Sequence, residues 1–313
     1  MESYARPKVA ISACLLGKEV RYDGTGKKNR WIDTVLRDYV DFKPLCPEMA
    51  MGLGTPRETM RVVKDSQAKT LHLVTSKTRQ DMTELAKTTV RELLDRDCAD
   101  VDAFILMANS PMCGLKFVKV YESKNDIPHK DGSGFFAAAL RERFPHVPII
   151  EGPRLDDLGQ REAFLSHLYM YHSLGAMEAS PRALQEFHRA HKFLLLSYSP
   201  KLYRQMGPLV AQTSRSNIRE SIQGYRKFMA QVFSGTRQTK HGSDALLHIY
   251  GFLKEGLRDD EKRYVLESIE QYRKGLYPIS LPLKMLSLLN IRQENSYLHK
   301  QKIFSPFPLT LQA

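Results

Sequence analysis

Three of the chain's four cysteines sit where a sheet could gather them. Cys14, Cys46 and Cys113 occur in the contexts SACLLG, LCPE and NSPMCG, each at or just past the end of an apolar run short enough to be a buried strand. Their spacing, 31 and then 66 intervening residues, matches no CxxC zinc ribbon and no ferredoxin run, so a shared site has to come from topology. A free cysteine is usually a small buried apolar group, and Cys98, at a helix end in RDCAD, reads that way. Three thiols at corresponding strand ends, each beside Gly, Pro or Ser, read instead as one site. Such a set can serve a nucleophile with resolving partners, a three-cysteine zinc with an open position, or an iron-sulfur cluster with one iron lacking a protein ligand.

The neighbours add acid-base chemistry. Glu48 follows Cys46 by two residues and Ser110 precedes Cys113 by three, so both are candidates for the same crevice. A carboxylate beside an electron-poor metal centre can position water or move protons, and a hydroxyl can bind or protonate a substrate atom. Taken singly, Glu48 after Pro47 is also a helix-starting acid, and Ser110 before Pro111 is also a turn residue. The loops RYDG (21–24) and GLGTPR (52–57) bring Arg21, Asp23 and Arg57 to the set, where turns and surface ion pairs are their ordinary roles.

Alternating elements must position these residues. Strands are expected at 9–14, 42–46, 70–74, 103–107, 117–121 and 147–151, with helices at 31–39, 81–96 and 134–144 between them. This repetition predicts an α/β fold with a mainly parallel sheet and helices on both faces, whose ligand crevice lies beyond the carboxyl ends of the strands. From residue 181 onward the periodicity is helical, at 182–196, 200–211, 216–233, 243–257, 259–273 and 281–289, which predicts an all-α domain. The expected division is 1–175 and 176–313, with a linker at 176–180.

Charge divides the same way. The chain has 313 residues and a formal net charge of +12. Residues 1–175 carry 26 basic and 24 acidic side chains, and residues 176–313 carry 21 and 11. Segment 181–240 alone holds eleven basic residues against two acids, interleaved with Phe193, Tyr198, Tyr203, Tyr225 and Phe228. Cations among aromatic rings suit phosphates and exposed bases, so a polyanion partner is expected there. Lys192, Lys201, Arg204, Arg226 and Lys227 are the candidate RNA-backbone contacts, chosen by charge density. No apolar stretch reaches the ~18 residues of a membrane span and the opening segment lacks a cleavable signal. A cytoplasmic protein with reduced cysteines and no membrane partner is therefore expected.

The motifs SACLLG with RYDG (12–24), CPEMAMGLGTPR (46–57) and NSPMCG (109–114) resemble the TudS (thiouracil desulfurase) family over roughly residues 7–155. The family's usual text has two glycines after CPE and a serine in SPSCG, where Met51-Gly52 and Met112 stand here. The segments FHRAHKFLLLSYSPKLYRQMGPLVA (187–211), HIYGFLKEGL (248–257) and YRKGLYPISLPL (272–283) look like the YbgA family domain. The resemblance implies a 4Fe-4S cluster held by Cys14, Cys46 and Cys113, with the fourth iron open to a substrate sulfur. It implies Glu48 as catalytic acid/base and Ser110 as the serine of the SPxCG loop. The combination is similar to desulfidases that remove sulfur from 4-thiouridine in tRNA by hydrolysis, without net electron transfer. On this expectation the helical domain holds thiolated tRNA. The alternatives are a desulfurase of free thiouracil or thiolated nucleosides, and a non-catalytic RNA-binding adaptor with a structural metal.

Overall fold

The computed structural model describes residues 4–65, 67–122 and 125–312. The chain forms two compact units that divide at Arg161/Glu162, upstream of the expected 176–180 linker. The first is the α/β unit. Its strands are β1 (Lys8–Ser12), β2 (Asp41–Leu45), β3 (Met60–Lys64), β4 (Leu71–Thr75), β5 (Ala103–Leu106), β6 (Val118–Glu122), β7 (Asn125–Gly132) and β8 (Ile149–Glu151). Its helices are α1 (Arg30–Thr34), α2 (Pro47–Ala50), α3 (Thr83–Asp97) and α4 (Phe135–Arg143).

The strands make two four-stranded sheets where one was expected. The first has the order β2-β1-β5-β8 and is parallel throughout. Every residue of β5 is buried, as are four of the five in β1, so these two central strands are covered on both faces. That is why these strands read as continuous apolar runs. The second sheet, β4-β3-β6-β7, is mixed: β3 runs parallel to β6, while β4 and β7 are antiparallel at the edges. Its strands alternate, with Met60, Val62, Leu73, Val118 and Val120 inward and Arg61, Lys119 and Tyr121 on the other face. One continuous core joins the two sheets, with Ala10 and Phe104 from the first, Val62, Leu73 and Val120 from the second, Val90 and Leu94 of α3 and Phe136 of α4.

The second unit is helical. It takes in most of α5 (Leu158–Ala176), then α6 (Pro181–Ala190), α7 (Lys192–Tyr198), α8 (Pro200–Ala211), α9 (Ile218–Val232), α10 (Thr239–Leu253), α11 (Asp259–Arg273), α12 (Ser280–Gln293) and α13 (Ser296–His299). The helix expected at 182–196 is two helices that meet at His191, whose ring nitrogen also engages the Phe187 carbonyl at 2.8 Å. Ser180 and Ser199 cap α6 and α8 by accepting the Ala183 and Leu202 amides, each with proline at the first helical position. Helix α10 packs against α7, α11 and α12. It lies so close to α11 that a Cβ on Gly242 would stand 2.2 Å from the Tyr272 hydroxyl. No helix among the described residues is long and apolar enough to cross a membrane.

Candidate functional site

Parallel pairing puts the carboxyl ends of β1, β2 and β5 at one edge of the first sheet. Ser12, the last residue of β1, lies opposite Leu45, the last of β2, while Ile11 lies opposite Ile105 of β5. Each of the three cysteines follows one of these adjacent ends.

Cys14 lies in a 3₁₀ turn (Ala13–Leu16) directly after β1, closed by Gly17 at φ 85°. Its carbonyl accepts the amides of Gly17 at 3.0 Å and Lys27 at 2.8 Å, folding the 18–27 loop back onto the turn. Gly26 makes that return possible, since a Cβ there would sit 2.6 Å from the Gly17 carbonyl oxygen. Cys46 precedes the short helix α2, with Pro47 at its first position, and its thiol faces the Val20 carbonyl at 3.8 Å. The amides of Met49 and Glu48 also approach the Cys46 sulfur and favour its thiolate.

Cys113 lies farther from its strand, in the 107–117 loop after β5. Ser110 shapes this loop, its hydroxyl oxygen accepting the amides of Met112 and Cys113, both at 3.1 Å. The first turn of α4 fastens the loop from outside, with the amides of Phe135 and Ala137 donating to the carbonyls of Pro111 and Met112 at 3.0 and 3.1 Å. Gly134 permits this approach, because a Cβ there would meet the Met112 carbonyl carbon and oxygen at 2.4 Å. Gly134→Ala is therefore expected to push α4 off the loop and displace Cys113. Accelerated amide exchange at Cys113 and Phe135 would report it, and unchanged exchange would show that the helix does not set the loop.

All four cysteines are free thiols. Cys98 behaves as a core residue, 1% exposed and pushed up to about 12 mainly by burial. The other three share one electrostatic environment. Burial first, then the charge of Cys46, pushes Cys14 up to about 11, with Arg21 pulling against them and Glu48 adding to the rise. Burial drives Cys113 far up; the Ser12 hydroxyl opposes this, while Glu48, Cys46 and Cys14 each add to it. Cys46 is raised by burial, then by Glu48, with Arg57 opposing. Buried thiols that repel one another's charge are poor thiolates unless a cationic centre is supplied.

Among the described residues, Glu48 is held through one oxygen, by Arg57. Nε of Arg57 donates to Glu48 Oε2 at 2.9 Å and a terminal nitrogen makes a second, shorter contact with the same oxygen. The same guanidinium donates to the carbonyls of Gly54 at 2.8 Å and Val20 at 2.9 Å, tying the loops after β1 and β2 together. The arginine side chain is 6% exposed and that of Glu48 17%, so the pair is inside the site. A surface ion pair was the ordinary expectation for Arg57, and the structure corrects it. The signal available in the sequence was indirect: a carboxylate placed in a crevice of buried thiols needs a cation. Arg21 keeps to its loop, donating to Thr25 Oγ1 at 2.8 Å and lying 3.5 Å from Asp23.

In the helical unit, Lys201, Arg204 and Lys227 are exposed, on α8 and α9, which pack together. Lys192 and Arg226 are half-buried over aromatic rings, at 5.2 Å from the centroid of Phe193 and 4.8 Å from that of Tyr171. Arg226 lines an open cavity of about 530 Å³ with Arg219, and its buried Nε has no hydrogen-bond partner among the described residues.

The family model described as 2-thiouracil desulfurase matches residues 9–152, and that of DUF1722 matches 192–308. YbbK of Bacillus subtilis strain 168 is 32% identical over 142 residues, 43% of this chain and 89% of the relative. YbgA of Escherichia coli strain K12 is 24% identical over 142 residues, 45% of this chain and 84% of the relative. The solved structure of a [4Fe-4S]-dependent thiouracil desulfidase, TudS, is 28% identical, covering 50% of this chain and 99% of that one, with a TM-score of 0.40. The arrangement of three thiols, Glu48 and the SPxCG loop at one sheet edge is thus accompanied by family matches in both units, and the chain belongs to the 2-thiouracil desulfurase family, with a DUF1722 domain following the desulfurase domain.

Proposed function

We propose that the chain is a desulfidase that converts 4-thiouridine in tRNA to uridine, using a 4Fe-4S cluster held by Cys14, Cys46 and Cys113, in the cytoplasm where thiols stay reduced. The observation that carries the reading is the gathering of three free thiols, from three adjacent strand ends, into one field with Glu48. The donor set fits such a cluster. The three are free thiols, the donors that an iron-sulfur cluster takes. Cys14, Cys46 and Cys113 would each give such a cluster one thiolate. When bound, the cluster supplies a soft Lewis acid able to polarise a C=S bond.

The rest is the work of the chain. Arg57 occupies Oε2 of Glu48 and orients the carboxylate, and Oε1 is left to take a proton from water. Water then adds its oxygen to the thiolated ring carbon, and the C–S bond breaks. The products are the C=O base and hydrogen sulfide, so no oxidant or reductant is consumed. The Ser110 oxygen already accepts two amides, which leaves its own hydrogen to donate to the base.

The basic helical unit supports tRNA over a free base, since a neutral thiouracil presents no phosphates to Lys201, Arg204 and Lys227. The family description favours a second reading, turnover of free thiouracil. The deciding experiment compares anaerobically reconstituted full-length protein on 4-thiouridine-containing tRNA and on free thiouracil, following sulfide release and the residual thiolated nucleoside by mass spectrometry. kcat/KM is expected to favour tRNA and to fall steeply with added salt. Equal values with a flat salt response would favour the free-base reading, and no sulfide from either would end both.

A further inference from the structure

The outer face of the second sheet carries a groove that the thiol site does not use. It has a volume of about 620 Å³ and is lined by Arg61 of β3, Lys119 and Tyr121 of β6, Lys130 of β7, and Phe117 and Asn109 at either end of the Cys113 loop. Register explains the grouping. Val62 pairs with Val120, and both point into the core, so Arg61, Lys119 and Tyr121 share the opposite face. Lys119 and Lys130 are exposed, and no carboxylate lines the groove among the described residues. Cations from three adjacent strands spread over about 10 Å at ordinary strand spacing, which is wide for one phosphate and suited to successive ones. Arg61 stacks over Tyr121 with 4.7 Å to the ring centroid, while Phe117 is 57% exposed and held at φ 59°, a conformation a bulky residue rarely adopts. Exposed aromatic rings and cations on a sheet face are the means by which proteins hold single-stranded nucleic acid, by stacking bases and pairing phosphates. The groove also includes Pro111, next to Ser110, so a strand lying in it runs up to the loop that positions Cys113.

We propose that this groove binds the single-stranded RNA segment flanking the thiolated base, with Lys119 and Lys130 on its phosphates and Phe117 against a base. The inference rests on the tRNA reading above, and it places a second RNA contact in the unit whose overall charge is nearly balanced.

The test uses the full-length protein, oxygen-free, with an oligouridylate of about ten nucleotides carrying one 5-iodouridine, a length within the usual single-strand site size. After irradiation, mass spectrometry is expected to place cross-links on the peptide holding Phe117 or Tyr121. Lys119→Glu with Lys130→Glu is expected to weaken anisotropy-measured binding about tenfold. It should also reduce the slope of log affinity against log salt by about 1.4, two single-strand contacts at about 0.7 each. Arg91→Glu with Arg141→Glu, an equal charge change on exposed positions of α3 and α4 outside the groove, is expected to shift affinity less than about twofold. Cross-links confined to residues 192–312, or equal affinity of the two double variants, would overturn the proposal. Because the probe contains no thiolated base, groove binding without sulfide release from thiolated tRNA sinks only the functional reading. Sulfide release with the two double variants indistinguishable sinks only the groove.

Discussion

Replacing Cys113 by serine is expected to give a folded chain that takes up little iron and releases sulfide at least about a thousandfold more slowly, a loss of roughly 4 kcal/mol of transition-state stabilisation. Folding should survive because the loop is held by contacts that do not involve the thiol. Its amides bond Ser110 Oγ, its carbonyls take the first turn of α4, and the Leu115 amide donates to the buried Glu151 at 2.9 Å. Cys14→Ser and Cys46→Ser should behave alike, since each removes one of three protein ligands from the proposed cluster. Cys98→Ser is the control: its thiol belongs to the core, so it should cost some stability and leave iron uptake and turnover close to those of the unaltered protein. Iron and labile sulfide per chain after anaerobic reconstitution, measured beside circular dichroism, decide the matter. Full iron content in any of the first three variants would remove that cysteine from the ligand set.

The ease of reading this site from sequence follows from the kind of sheet that carries it. The buried central strands of a parallel sheet are continuous apolar runs, so β1 and β5 stand out, and the residues after them and after the neighbouring β2 fall on one edge by topology alone. The second sheet was half hidden. Met-Arg-Val-Val-Lys in β3 has only a short alternation between charges. Strand β7 reads Asn-Asp-Ile-Pro-His-Lys-Asp-Gly and exists through pairing with β6 at the edge of the sheet, where proline is tolerated. With β3 and β7 unseen, the cations they bring beside Lys119 could not be placed together. The break at His191 was hidden for a related reason: apolar periodicity continues through it, and only the local geometry of α6 and α7 reveals the turn.

Charge also takes on a more specific meaning than a basic second half. Lys201, Arg204 and Lys227 stand in solvent where a backbone could reach them, whereas Lys192 and Arg226 spend part of their charge against rings in the same unit. Weakening of tRNA binding should therefore be largest for the exposed three. Net charge alone could not rank them.

Arg57→Ala is expected to lower kcat by about a hundredfold with KM little changed, within the range that positioned acid-base groups contribute. The reason is geometric. Both nitrogens directed at Glu48 meet Oε2, so the arginine fixes which oxygen remains for water, and its other bonds to Gly54 and Val20 fix the carboxylate relative to the Cys14 and Cys46 loops. Removing it leaves a nearly buried carboxylate without a cation, which should also cost about 3 kcal/mol of stability. Arg57→Lys should recover part of the stability and little of kcat, because a single ammonium cannot reproduce the planar fork and reach both carbonyls as well. A double-mutant cycle separates positioning from mere support. Glu48→Gln alone should cut kcat by about 10² to 10⁴. If Arg57 acts through Glu48, adding Arg57→Ala to that variant should reduce kcat little further. Multiplying effects in the double variant, with iron content unchanged, would show that Arg57 serves the loops independently of the carboxylate it grips.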